Sequence, residues 1–187
     1  DLFIGSEGTL GIITAATLKL FPQPAAKCTA MLALSSVDHA VAVLRRARKA
    51  FDTALTGYEL MAGVCLEMVN QCFPQQKLPF AEKPAWYALL EISDSEGEEH
   101  ARGMFEAMLG EAFEAGEIDD AVIAENLTQS KDLWHLRESI TLAQAQAVKS
   151  IKHDISVPVS NMVSFIEKTD AELQAKFPGL LNMTFGH

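Results

Sequence analysis

The chain has 187 residues, a net charge of −10 at pH 7 and 49% hydrophobic residues, a composition that excludes a disordered tail. The negative charge argues against nucleic acid as a partner. No apolar run approaches the roughly 18 residues that a membrane span needs.

Cys28, Cys65 and Cys72 are sparse, odd in number and outside metal spacing. They read as small buried hydrophobes in a reducing compartment, the cytoplasm. The chain starts at Asp1 without an initiator Met and stops at His187, just past an apolar run. It is therefore expected to be a piece of a longer protein.

Residues 5–14 read GSEGTLGIIT. Such bare backbone suggests an anion-binding loop, because glycines let N–H groups approach a phosphate closely. A P-loop needs Lys and Ser or Thr after its last glycine, where this chain has Ile12 and Ile13. A Rossmann turn needs a helix there, but residues 12–20 are rich in β-branched side chains. The expectation is a strand at residues 2–4, a glycine turn and a second strand.

Pro22 and Pro24 mark a boundary. Beyond it the patterns predict a strand at 28–34 and a helix capped by Ser36 or Asp38 that runs to about Phe51. A strand over 54–60 and a helix over 62–69 follow, then a proline-containing loop over 70–84. A strand at 86–92 precedes the acid-rich start of a helix that ends near Phe113. Next come a short strand at 121–124, a long helix over 130–147, a strand at 150–157 closed by Pro158, a helix over 161–177 and a strand at 180–185. The order favours an α+β fold, a ferredoxin-like antiparallel sheet with helices on one face, over a doubly wound sheet.

Residues 133–158 read LWHLRESITLAQAQAVKSIKHDISVP. On a helix, Leu133, Leu136, Ile140, Ala143 and Ala147 form one apolar stripe, with Trp134, Arg137 and Thr141 on the stripe beside it. A guanidinium fork next to a hydroxyl suits a carboxylate. If the isoleucines of the following strand face the helices, Lys152 faces the open side of the sheet. Arg137, Thr141 and Lys152 then converge on an anion. The same residues also suit a solvated surface.

GSEGTLGIIT, WYALLEIS, LWHLRESIT, IKHDISVP and the terminal MTFGH, in this order, resemble segments of the FAD-linked oxidase family related to vanillyl-alcohol oxidase, in particular its dehydrogenases of D-2-hydroxyglutarate and D-lactate. The resemblance implies a two-domain flavoprotein that removes hydride from C2 of a D-2-hydroxy acid. Residues 1–22 would close its FAD-binding domain, and residues 23–187 would form a cap domain truncated at its C-terminus. By the same resemblance Arg137, Thr141 and Lys152 bind substrate carboxylates, and His187 is one ligand of a divalent metal, usually zinc. Backbone around Ser6, Glu7, Gly8, Gly11 and Ile12 lies against FAD, with Glu7 structural or ribose-facing. FAD and metal are expected only in the full-length protein, with the catalytic base beyond residue 187. The acid (D-lactate, D-2-hydroxyglutarate, glycolate or a longer one), the electron acceptor and a homodimeric or monomeric state stay open. The other reading is a stand-alone ferredoxin-like module that binds a small carboxylate without chemistry.

Overall fold

A computed structural model describes residues 2–147 and 149–187. Five strands and five α-helices follow one another as β1 (Ala26–Leu34), α1 (Val37–Phe51), β2 (Leu55–Ala62), α2 (Gly63–Cys72), β3 (Trp86–Asp94), α3 (Glu98–Glu114), β4 (Asp120–Ile123), α4 (Leu127–Ala147), α5 (Val159–Lys176) and β5 (Phe185–Gly186). The strands form one antiparallel sheet in the order β4-β1-β3-β2-β5. Its core, β1-α1-β2-β3-α3-β4 with β3 between β1 and β2, is the ferredoxin-like arrangement expected from the sequence. No helix among the described residues is long and apolar enough to cross a membrane.

Helices cover both faces of this sheet, where the sequence reading put them on one. Cys28, Ala30, Leu32, Leu34, Leu90 and Ile92 point to α1 and α3 and pack on Val43, Ala47, Phe51, Phe105 and Met108. Met31, Met61, Tyr87 and Leu89 point the other way, onto Cys65, Leu66 and Val69 of α2 and Leu133, Leu136 and Ile140 of α4. The physical cause is visible in β1, where every residue from Cys28 to Leu34 is buried. A strand that is apolar on both sides needs cover on both sides.

Local chemistry sets the helix ends. Ser36 caps α1 by accepting from the His39 N–H at 3.2 Å. At the turn into α3, Asp94 Oδ1 accepts from the backbone N–H groups of Glu96 (2.7 Å) and Gly97 (2.9 Å), while Oδ2 meets His100 Nδ1 at 2.9 Å. The Gly97 bond, with those from His100 and Glu96, holds the Asp94 carboxyl below its ordinary value. The bond to Asp94 raises His100 above its ordinary value of 6.5. Asp94 therefore contributes stability above its unfolded pKa and loses it as pH falls through the lowered one. His100 contributes fully below 6.5 and loses its part as pH rises through the raised value. We expect Asp94→Asn to return the His100 titration, followed by NMR, toward 6.5 and to remove the acid-side loss of stability. An unchanged His100 titration would contradict the pairing.

Three expected strands do not form. Residues 2–25 contain no strand; their apolar side chains lie open, with Ile4 82% and Ile12 87% exposed. Residues 150–157 form neither strand nor helix, with Ile151 86% exposed. Of the strand expected over 180–185, only Phe185–Gly186 forms, against Leu60 and Met61. A strand exists by its ladder partner, and no strand of the described residues pairs with the first two segments. Of the expected N-terminal domain, Asp1 lies outside the described residues.

Candidate functional site

The α2/α4 face of the sheet carries a polar seam through its apolar packing. Glu91 on β3 is its centre. Its Oε2 accepts from the Trp134 indole N–H at 2.8 Å and from Thr29 Oγ1 at 3.3 Å, and its Oε1 meets Lys27 Nζ at 3.1 Å. Thr29, only 1% exposed, also shares a 2.8 Å hydrogen bond with Ser130 at the start of α4. The Trp134 ring lies directly over Gly57 of β2, where a Cβ would sit 3.1 Å from the indole. The missing side chain lets the ring reach Glu91. Together these contacts fix how α4 is rotated on the sheet.

That rotation delivers Arg137, one turn after Trp134, to the β2/β5 edge. Arg137 Nε donates to Glu59 Oε2 at 2.9 Å, and its guanidinium carbon lies 4.9 Å from the centre of the Phe185 ring. The two charged side chains are 18% and 15% exposed, so the pair is largely withdrawn from water. Among the described residues the two Nη groups have no hydrogen-bond partner. The arrangement leaves a planar fork directed away from Glu59, which is the geometry that grips a carboxylate with two parallel bonds.

Thr141 lies a further turn along α4 and is exposed. The β2/β5 ladder sets Leu60 opposite Gly186. The ladder ends there, and His187 follows Gly186 directly in the chain. The structure thus brings Arg137, Glu59 and the position of His187 to one sheet edge. It does not bring Lys152 to them by any hydrogen bond or ion pair among the described residues. Lys152 is exposed on the segment that joins α4 to α5. Among the described residues no three His, Cys, Asp or Glu side chains cluster as a metal site requires. His187 alone does not make a metal centre.

The opening glycine loop forms a separate concavity. Ser6, Glu7, Gly8, Gly11 and Ile12 line it together with Phe3 and Ile13, around an open volume of about 330 Å³. Glu7 sits in the left-handed region at φ 47°, between Gly5 at 76° and Gly8 at 80°. The turn is closed by Thr9, whose Oγ1 donates to the Ser6 carbonyl at 2.6 Å. One carboxylate and no cation line the hollow, so these residues provide at most one wall for a dinucleotide. They do not enclose a flavin.

Sequence reasoning missed Glu59 and Phe185. Glu59 had a legible signal, as a single acid inside the apolar strand LTGYELMA. A charge there is either solvated or paired. Nothing local says that its partner is 78 residues away.

The fold and this edge define an α+β sheet domain that presents a braced guanidinium next to a short terminal strand. Residues 23–187 match the family of FAD linked oxidases, C-terminal domain, and the chain belongs to that family. It is 36% identical over 186 residues to a D-2-hydroxyglutarate dehydrogenase of Xanthomonas citri pv. viticola, an alignment that covers 100% of this chain and 38% of that protein. It is 29% identical over 187 residues to the mitochondrial D-2-hydroxyglutarate dehydrogenase of Arabidopsis thaliana, with 100% and 33% covered. With the Bos taurus mitochondrial enzyme of the same name the identity is 30% over 178 residues, with 92% and 31% covered. The chain spans about a third of the length of these relatives. A stand-alone binding module is not favoured.

Proposed function

We propose that the full-length protein is an FAD-dependent dehydrogenase that oxidises a D-2-hydroxy acid, of the D-2-hydroxyglutarate kind, to the 2-oxo acid. Residues 23–187 form its substrate-facing domain, and residues 1–22 belong to its FAD-binding domain. The observation that carries this reading is the Arg137 fork, braced by Glu59 over Phe185 in a chain of this family. FAD, when bound, supplies the acceptor for the C2 hydride. Arg137 grips a substrate carboxylate with its Nη groups, Thr141 donates one hydrogen bond, and Lys152 adds a point charge.

The test is an anaerobic titration of the purified full-length protein with D-2-hydroxyglutarate, D-lactate, glycolate and the L-acids. Loss of the flavin's visible absorption with a D-acid is expected. No loss with any of them would overturn the reading.

Two substitutions rank the weaker contacts. Thr141→Ala removes one neutral hydrogen bond and is expected to lower kcat/KM by about 2- to 13-fold, from about 0.5–1.5 kcal/mol. Lys152→Arg is expected to lower kcat/KM despite keeping charge, because the planar group needs different room. Neither change is expected to alter thermal stability measurably; both sites are exposed.

His187 is proposed as one ligand of a divalent metal, zinc by the family resemblance, that the full-length protein completes with further residues. His187→Ala should lower metal content, measured by elemental analysis, together with turnover. Unchanged metal content would remove His187 from the site.

A further inference from the structure

Arg137 is a long side chain with many rotamers, and a carboxylate is gripped well only when the guanidinium plane is fixed before substrate arrives. Two contacts fix that plane. Glu59 holds the Nε edge in the plane at 2.9 Å, and the Phe185 ring backs one face at 4.9 Å. Glu59 itself stands on a rigid support: β2 is paired to β3 on one side, Glu59 opposite Leu89, and to β5 on the other.

The single Nε bond matters as much as its presence. A carboxylate bonded to both Nη groups would occupy the fork that a substrate needs, whereas Glu59 takes one edge and leaves the fork open. Glu59 also balances a guanidinium that is only 18% exposed, so that the empty site does not hold a lone cation withdrawn from water.

We propose that Glu59 is the positioning residue of the site: it orients Arg137, through Nε, so that the Nη fork faces the substrate carboxylate. This rests on the reading of Arg137 as the carboxylate-binding group. Glu59 touches no substrate atom in this assignment and acts only through Arg137.

The test uses the full-length enzyme and steady-state kinetics on its best D-2-hydroxy acid. Glu59→Ala is expected to raise KM about 10- to 100-fold, with a smaller change in kcat, because a misplaced clamp costs on that scale. Glu59→Gln keeps an acceptor for Nε and is expected to restore most of the affinity. In an Arg137→Ala background, Glu59→Ala is expected to add no more than about twofold, the margin within which independent changes simply add. A purely structural role would not give that non-additivity. If Glu59→Ala does not fold, Glu59→Asp carries the test, since it keeps the charge and draws the carboxylate back by one methylene; a raised KM is expected. An unchanged KM in Glu59→Ala, or in Glu59→Asp where the alanine variant does not fold, with Arg137→Ala impaired, overturns the positioning role and leaves the proposed function standing. Full activity of Arg137→Ala overturns the substrate site itself.

Discussion

Arg137→Ala is expected, under the proposed function, to lower the full-length protein's kcat/KM for a D-2-hydroxy acid by about 30-fold to several-thousand-fold. The magnitude follows from cutting one partner of a bidentate, charge-assisted pair in a site withdrawn from water, which costs about 2–5 kcal/mol. The structure adds a second loss. Glu59, 15% exposed, would lose the Nε–H that now meets it and be left without its partner. Some of the effect will therefore appear as reduced stability, and a denaturation curve must accompany the kinetics. Arg137→Lys separates the two losses. An ammonium can still neutralise Glu59, so stability should largely return, but it has no planar fork, so kcat/KM should stay low. A lysine variant with wild-type kinetics would show that charge alone serves the site. An alanine variant active on every D-2-hydroxy acid would show that the substrate binds elsewhere.

The sequence makes some of this arrangement legible, and the line falls at locality. The Ser36 cap, the apolar periodicity of α1 and the adjacent placement of Trp134, Arg137 and Thr141 on α4 depend on residues three or four apart. Such relations survive any tertiary context. Residues 12–20 and 150–157 show where the same reasoning stops. Their β-branched content makes a strand affordable, but only a ladder partner makes one, and pairing is not written in the segment. The two-sided cover of the sheet was legible and points the other way from the expectation of one helical face. The run in β1 buried from Cys28 to Leu34, apolar except for Thr29, is the mark of a strand covered on both sides.

The site divides along the same line. Arg137 could be chosen from its neighbours on the helix, whereas its brace could not. Glu59 comes from β2 and Phe185 from the far end of the chain. Only the β4-β1-β3-β2-β5 order, with β5 added beyond β2, puts the two beside α4. Lys152 is the counter-case. The alternation used to aim it at the open sheet face presumed a strand over 150–157, and without that strand the argument for its direction lapses. Its role now rests on family resemblance and on the kinetics of Lys152→Arg.

The largest expected effect on stability lies outside the site, at Gly63. This residue opens α2 immediately after β2, is buried, and donates its N–H to the Ala85 carbonyl at 2.7 Å. The loop between α2 and β3 returns directly against it. A Cβ at this position would overlap the Pro84 carbonyl oxygen and crowd that of Ala85 at 3.1 Å. Both obstacles are backbone, held by the pairing of Ala62 with Trp86 one step away, so neither can swing aside as a side chain would. Gly63→Ala is therefore expected to destabilise by about 3 kcal/mol, the upper end for overpacking in a close-packed interior. Gly103 and Gly110 of α3 provide the control with the opposite sign. Both are exposed, and a Cβ at either meets nothing within 4 Å. Replacing either with Ala should stabilise by up to about 1 kcal/mol, because Ala restricts the unfolded chain and suits a helix interior. Urea unfolding of the three variants should order them as Gly63→Ala well below wild type and the two α3 variants at or above it. A Gly63→Ala protein as stable as wild type would mean that the loop from Cys72 to Trp86 does not pack against the start of α2.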